Sequence, residues 1–211
     1  MNLNNIRQEY LQKPLNISDD TNPMKLFKEW FQDAINDEID LVNAITLSTI
    51  GEDGFPNARI VLAKEISETG LIVYTDYTSQ KSKDLLNSSK ASITIFWKEQ
   101  DRQIRIKATS SRISYEQSDK YFRSRPLESQ ISAIASSQSS PVNLEELQKK
   151  ITGIIKSNSK NSLPCPKTWG GYAFDFFEIE FWQGRPNRLH DRFNFKKNTN
   201  GTWNKSTRLS P

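Results

Sequence analysis

The chain of 211 residues has one cysteine, one histidine and eight glycines, and each scarcity removes a class of chemistry. Cys165 has no second thiol for an internal disulfide, so a reducing, cytoplasmic setting is expected. With His190 as the sole imidazole, Cys/His zinc chemistry is closed to a single chain, and no carboxylate spacing suggests another metal. There is no GxGxxG fingerprint, no GxxxxGK(S/T) phosphate loop and no GxSxG elbow, and Gly170-Gly171 is too little to cradle a phosphate. No apolar run nears the roughly 18 residues that span a bilayer. The opening MNLNNIRQEYLQ lacks the basic-then-apolar order of a secretory signal.

Aromatic residues are abundant: five Trp, six Tyr and eleven Phe oppose global disorder. The length suits one domain, expected over 21–211, preceded by a loose polar arm over 1–20. Pro23 opens a helix whose Leu26, Phe27, Trp30, Phe31, Ala34 and Ile35 recur at helical spacing. From Val42 the period shortens to that of strands. VNAITLST, ARIVLAK (58–64), LIVYT (71–75), ASITIFW (91–97) and QIRIKATSSRI (103–113) follow one another with short links, and Asp53-Gly54 suits a hairpin turn. This spacing predicts a mainly β fold with added helices, an antiparallel meander or small barrel, because parallel βαβ units need longer crossovers. Ser114 with Gln117, and Asn143 with Glu146, are capping pairs ahead of two further helices. The second helix carries an apolar stripe of Leu144, Leu147, Ile151, Ile154 and Ile155. FFEIEFWQG and NRLHDRFNF return to strands, and Asn200-Gly201 marks a last hairpin.

The net charge of +4 is unevenly spread. Residues 1–40 carry four basic and eight acidic groups, whereas 185–211 carry seven basic groups and only Asp191 as an acid. A steep basic groove with interleaved aromatics would indicate nucleic acid, but the cations fall in short, ligand-sized groups. Arg188, His190 and Arg192 alternate in RLHDR; on a strand they would share one face, where an anionic or electron-rich ligand relieves their repulsion. A solvated strand face is the plain alternative. Arg59 and Lys64 flank IVLA on opposite faces of a regular strand, unless a bulge intervenes. Tyr121 and Arg125 share a helix face at i,i+4, a pair able to clamp a phosphate but common on ordinary helices.

Taken together, ARIVLAK, VYT (73–75), RQIRI (102–106), KYFRSRPLESQI (120–131), SSQSS (136–140) and FWQGRPNRLHDRF (181–193) resemble the pyridoxamine 5′-phosphate oxidase family, in order and over nearly the whole chain. The resemblance implies an FMN-binding split β-barrel working as a homodimer, with FMN sites at the subunit interface. It implies oxidation of pyridoxamine or pyridoxine 5′-phosphate to pyridoxal 5′-phosphate, hydride passing from substrate C4′ to flavin N5 and O2 becoming H2O2. It places Arg59 and Lys81 at the FMN phosphate. It makes Ile60, Val61, Leu62, Ala63, Lys64, Tyr74 and Thr75 part of the cofactor wall, and adds Gln80, Gln103, Gln138, Ser139, Trp182 and Arg192 as further FMN positions. Lys64, Tyr121, Arg125 and Ser129 match the clamp on the substrate phosphate. Arg188 and His190 match the residues beside the reacting ring, and Arg7 and Tyr10 match an N-terminal lid.

One position departs from the family pattern. Gln80 stands where the family usually has arginine, and a neutral hydrogen bond is roughly half as strong as a charge-assisted one. The change points to a weaker grip on FMN phosphate unless Lys83 compensates. A related flavin oxidase acting on another ring, such as a phenazine precursor, would keep the FMN residues and relax the clamp. A non-catalytic flavin or pyridoxal-phosphate carrier would keep both without substrate-dependent flavin reduction.

Overall fold

The computed structural model describes residues 1–5, 9–157 and 163–211. The strands predicted from alternation form β1 (Ala44–Ile50), β2 (Pro56–Ile66), β3 (Gly70–Asp76), β4 (Lys90–Trp97) and β5 (Arg102–Arg112), followed by a long β6 (Trp169–Gln183), β7 (Asp191–Lys196) and a short β8 (Thr207–Arg208). All pairings are antiparallel, in the order β3-β2-β1-β4-β5-β6-β7-β8, and β3 also pairs with β6. That extra pairing closes the six strands β1–β6 into a barrel and leaves β7 and β8 outside it. Closure needs a close approach at Gly70, where a Cβ would lie 1.8 Å from the Phe174 carbonyl oxygen. Between β1 and β2, Gly54 supplies the positive φ of 82° that the turn demands.

Period-two burial fills the barrel. Ile93, Ile95 and Trp97 of β4 face inward beside Ile104, Ile106 and Ala108 of β5. Helix α1 (Pro23–Asn36) is capped by the Asn22 carboxamide oxygen, which accepts from Met24 and Lys25 N–H, with Pro23 in the first turn. It lays Phe27, Trp30, Phe31 and Ala34 on the barrel, with edge-to-face contacts from Phe27 to Phe176, Trp30 to Phe181 and Phe31 to Trp97. Each such side chain contributes about 1.5–3 kcal/mol on burial.

Four more helices flank the barrel: α2 (Gln80–Asn87), α3 (Tyr115–Ser124), α4 (Leu127–Ala135) and α5 (Leu144–Ser157). Ser114 caps α3 through Gln117 N–H, and Asn143 caps α5 through Glu145 and Glu146 N–H. A second, smaller core lies under α3–α5, built from Phe122, Ile131, Leu163, Cys165 and Trp169. Ile151 and Ile154 of α5 pack against it, but Leu144 and Ile155 remain exposed, so only part of the predicted stripe is covered within one chain.

The segment read as one strand from Asn187 departs from expectation. Residues Pro186–Arg188 form a 3-10 turn, Asn187 and Arg188 have φ of 56° and 59°, and β7 starts only at Asp191. Alternation in RLHDR mimics a strand, yet two left-handed residues break it before the ladder begins.

Candidate active site

A cavity of about 890 Å³ opens beside the barrel, walled by β2, β3, the start of α2 and the α3–α4 elbow. From β2 it receives Ile60, Val61, Leu62 and Lys64, and from β3 Tyr74 and Thr75. The β2–β3 register slips between Ala63 and Glu65, a bulge that leaves Lys64 as the extra residue. Lys81, Gln138, Tyr121, Arg125 and Ser129 complete the polar lining.

At the elbow, α3 ends at Ser124 and Pro126 enforces an extended Arg125 before α4. The bend is held by Gln130, buried to 1% exposure. Its amide donates to the Arg125 carbonyl (2.8 Å) and the Arg123 carbonyl (3.3 Å), while its oxygen accepts from Leu163 N–H (2.8 Å). Arg125 thus projects its guanidinium over the Trp169 ring at 4.9 Å. Its Nη1 is buried and has no hydrogen-bond partner. Burial lowers the Arg125 pKa, the nearby Tyr121 only partly offsetting this. Arg125 also lines the cavity, where its cationic guanidinium is a site for an anion. Tyr121 stacks on Tyr74 at 3.9 Å, and Tyr74 lies near-parallel to Trp169 at 5.6 Å, so three rings stiffen this wall. Burial, then the bond its hydroxyl donates to Glu65 (2.6 Å), pushes the Tyr74 phenol far above its ordinary range.

The second cationic corner lies at Lys81. Its ammonium donates to Thr75 Oγ1 and Gln138 Oε1, both at 3.0 Å, and Thr75 Oγ1 donates to Gln138 Oε1 (2.9 Å). Burial first, and the charge of Arg59 next, push the Lys81 pKa down to about 8. Two cations close enough to repel, with Lys81 hydrogen-bonded only to neutral groups, suit a phosphate. Asp76 shapes this corner: it accepts from Thr78 N–H (2.6 Å) and from Gln138 N–H (3.4 Å). Arg59 is anchored from the other face of β2, its Nη1 donating to Thr49 Oγ1 (2.7 Å) and the Leu47 carbonyl (3.2 Å).

The remaining predicted residues do not line this cavity. Ala63 faces the core from β2, Ser139 sits in the turn after α4 with φ of 67°, and Gln80 donates its amide to Asp84 (2.8 Å). Gln103, Trp182 and Arg192 stand in register across β5, β6 and β7, in one row with the exposed Phe96 of β4. Arg192 forms a two-pronged ion pair with Glu180, Nε at 3.0 Å and Nη2 at 3.2 Å. Tyr10 lies edge-on to Trp182 (5.5 Å) and to His190 (5.1 Å). His190 Nδ1 accepts from Arg185 N–H (3.1 Å), so the proton of the neutral ring sits on Nε2. Burial, and then the charge of Arg188, hold the His190 pKa below its ordinary value. Arg7 lies outside the described residues.

The chain therefore carries two separate clusters, a cationic cavity and an aromatic–His–Arg row. Residues 31–156 match the family model described as pyridoxamine 5′-phosphate oxidase, and residues 169–211 match that of the pyridoxine 5′-phosphate oxidase C-terminal dimerisation region. The chain belongs to the pyridoxamine 5′-phosphate oxidase family. Among its relatives, the pyridoxine/pyridoxamine 5′-phosphate oxidase of Mannheimia succiniciproducens is 40% identical over 212 residues, covering 100% of both chains. Among solved structures, PhzG from Burkholderia lata, in complex with tetrahydrophenazine-1-carboxylic acid, is 29% identical with a TM-score of 0.85, over 92% of this chain and 95% of that one. A pyridoxamine 5′-phosphate oxidase-related, FMN-binding protein from Nostoc punctiforme shares the fold at 15% identity and a TM-score of 0.73, over 92% of this chain and 100% of that one. The split barrel is thus the family's, and Trp182, Arg188, His190 and Arg192 all fall within its dimerisation region.

Sequence reasoning missed Asp76, Gln130, Asp84 and Glu180, the buried polar groups that hold the named residues in place. Only Asp76 had a local signal, an acid two residues ahead of Thr78 in a turn.

Proposed function

We propose that the chain oxidises pyridoxamine 5′-phosphate and pyridoxine 5′-phosphate to pyridoxal 5′-phosphate with FMN, as a homodimer in which each site joins the cavity of one protomer to the Trp182–His190 row of its partner. The observation that carries the substrate assignment is the gathering of Arg125, Lys64, Tyr121 and Ser129 in the wall of one cavity. Lys81 and Arg59 fit the FMN phosphate, since a nearby anion would offset the burial, and then the Arg59 charge, that lower the Lys81 pKa. With FMN held there, the flavin would supply a two-electron acceptor for the substrate's hydride, with O2 as the final oxidant giving H2O2.

The chain's own part is binding and orientation. Arg125 and Lys64 carry the charge that holds the substrate phosphate, and the Tyr121 and Ser129 hydroxyls fix its direction. Arg188 steadies the ring and, as a guanidinium, does not serve as a base. His190, neutral with Nε2 protonated, donates a hydrogen bond to the ring rather than removing a proton through that nitrogen.

Mixing purified holoprotein with pyridoxamine 5′-phosphate without oxygen tests the proposal. Rapid bleaching of the flavin absorbance is expected, and release of pyridoxal 5′-phosphate on aeration. The likeness to PhzG names the rival. Bleaching by a reduced phenazine carboxylate but not by pyridoxamine 5′-phosphate would replace this function with that one.

A further inference from the structure

Asp84 is a carboxylate on α2 with 1% of its surface exposed, and its two oxygens do different jobs. Oδ2 accepts from Thr49 Oγ1 (2.6 Å) and Asn57 Nδ2 (3.1 Å), and Arg59 Nη2 stands 3.7 Å away. Oδ1 accepts from the Gln80 amide at 2.8 Å. Thr49 links this cluster: its hydroxyl donates a hydrogen bond to Asp84 Oδ2 and accepts one from Arg59 Nη1 (2.7 Å). A carboxylate removed from water must be held by donors on both oxygens or it will shift toward any that remain. Gln80, one helical turn before Asp84, occupies the oxygen that faces away from Arg59.

We propose that Gln80 and Asp84 are a positioning pair that aims Arg59 at the FMN phosphate, with Gln80 acting through Asp84 and not as a cofactor contact. This deepens the FMN function above and rests on it. It changes the meaning of the departure from the family pattern at position 80. The neutral amide satisfies Asp84 Oδ1 without competing for its charge, so the carboxylate's remaining attraction falls on Arg59 and Thr49. A cation at position 80 would divide that attraction. Gln80 is therefore fitted to this chain's buried aspartate and is not simply a weakened phosphate ligand.

The test measures dissociation constants of FMN and of riboflavin for the apoprotein, by flavin fluorescence at fixed salt, in a cycle of Gln80→Leu and Arg59→Gln. Riboflavin lacks the phosphate and reports the rest of the site. Gln80→Leu is expected to weaken FMN about five-fold, through the lost aim of Arg59, and to leave riboflavin unchanged. In the Arg59→Gln background the same substitution should change FMN affinity less than about two-fold, because the residue it positions is gone. An undiminished loss in that background would make Gln80 a direct phosphate ligand and overturn the proposal. Equal losses for FMN and riboflavin, or no loss for either, would overturn it too, by showing a general or absent role. Failure of the unmodified protein to bind FMN is a distinct result, which removes the FMN function and this proposal with it.

Discussion

Arg125 shows how one side chain acquires a function from its surroundings. In sequence it is one of 29 basic residues and shares a helix face with Tyr121, a pairing found on many helices. In the fold its backbone is pinned by Gln130 and its guanidinium lies over Trp169, with Nη1 buried and unpaired. Removing one charge-assisted hydrogen bond costs about 1.5–3 kcal/mol. Arg125→Ala should therefore weaken pyridoxamine 5′-phosphate binding by roughly ten- to a hundred-fold, and leave FMN affinity nearly unchanged. Titrating both ligands checks this, and collapsed FMN affinity with intact substrate binding would reassign the residue to the cofactor. The cationic members of both clusters were legible in the sequence because a motif displays them directly. Asp84, Gln130 and Asp76 were not, since a buried polar residue looks in sequence like any surface one until tertiary packing removes its water. Cys165 is the converse case. Burial pushes its thiol up to about 11, so it stays protonated at neutral pH and has no chemical role to find.

Elements were most legible where burial is one-sided. The alternation of β4 and β5 and the aromatic face of α1 follow directly from what the barrel must bury. RLHDR failed because periodicity cannot see φ: Pro186-Asn187 was the signal, as Asn tolerates the left-handed region better than most residues. Under the proposed function substrate binding depends most on the α3–α4 elbow, and Gln130 is its clasp. Gln130→Leu keeps the size of the side chain and leaves two carbonyls and one N–H without this partner. Unsatisfied buried groups cost about 1–3 kcal/mol. A chain of this size loses about 2–4 °C of Tm per kcal/mol. Gln130→Leu should thus lower Tm by several degrees and raise the KM for the phosphorylated substrate, because Arg125 is no longer held at the elbow. An unchanged Tm and KM would mean that Pro126 alone sets the bend.

At the scale of the molecule, the two clusters present a geometric problem that one chain does not solve. The cavity is built from β2, β3 and the α2–α4 helices, whereas Gln103, Trp182 and Arg192 form a row on the outer side of β5–β7, within or beside the dimerisation region. Ile60 at 66% exposure and Phe96 at 52% leave apolar surface on the same barrel wall, which a second copy would cover. If each site takes its cavity from one protomer and its Arg188–His190 turn from the partner, defects in the two clusters must complement each other. At substrate well below the wild-type KM, where a binding defect lowers the rate in full, Arg125→Ala and Arg188→Ala homodimers should each be nearly inactive. When the two are unfolded together and refolded at equal amounts, half of the dimers are mixed, and each mixed dimer has one doubly damaged site and one intact site. About a quarter of the wild-type activity should return. A site contained within one chain would leave every protomer with one defect, and the mixture would stay as inactive as its parents. The same refolding with Arg125→Ala and Lys64→Ala, both from the cavity, is the control: no activity should return, because every protomer brings a damaged cavity.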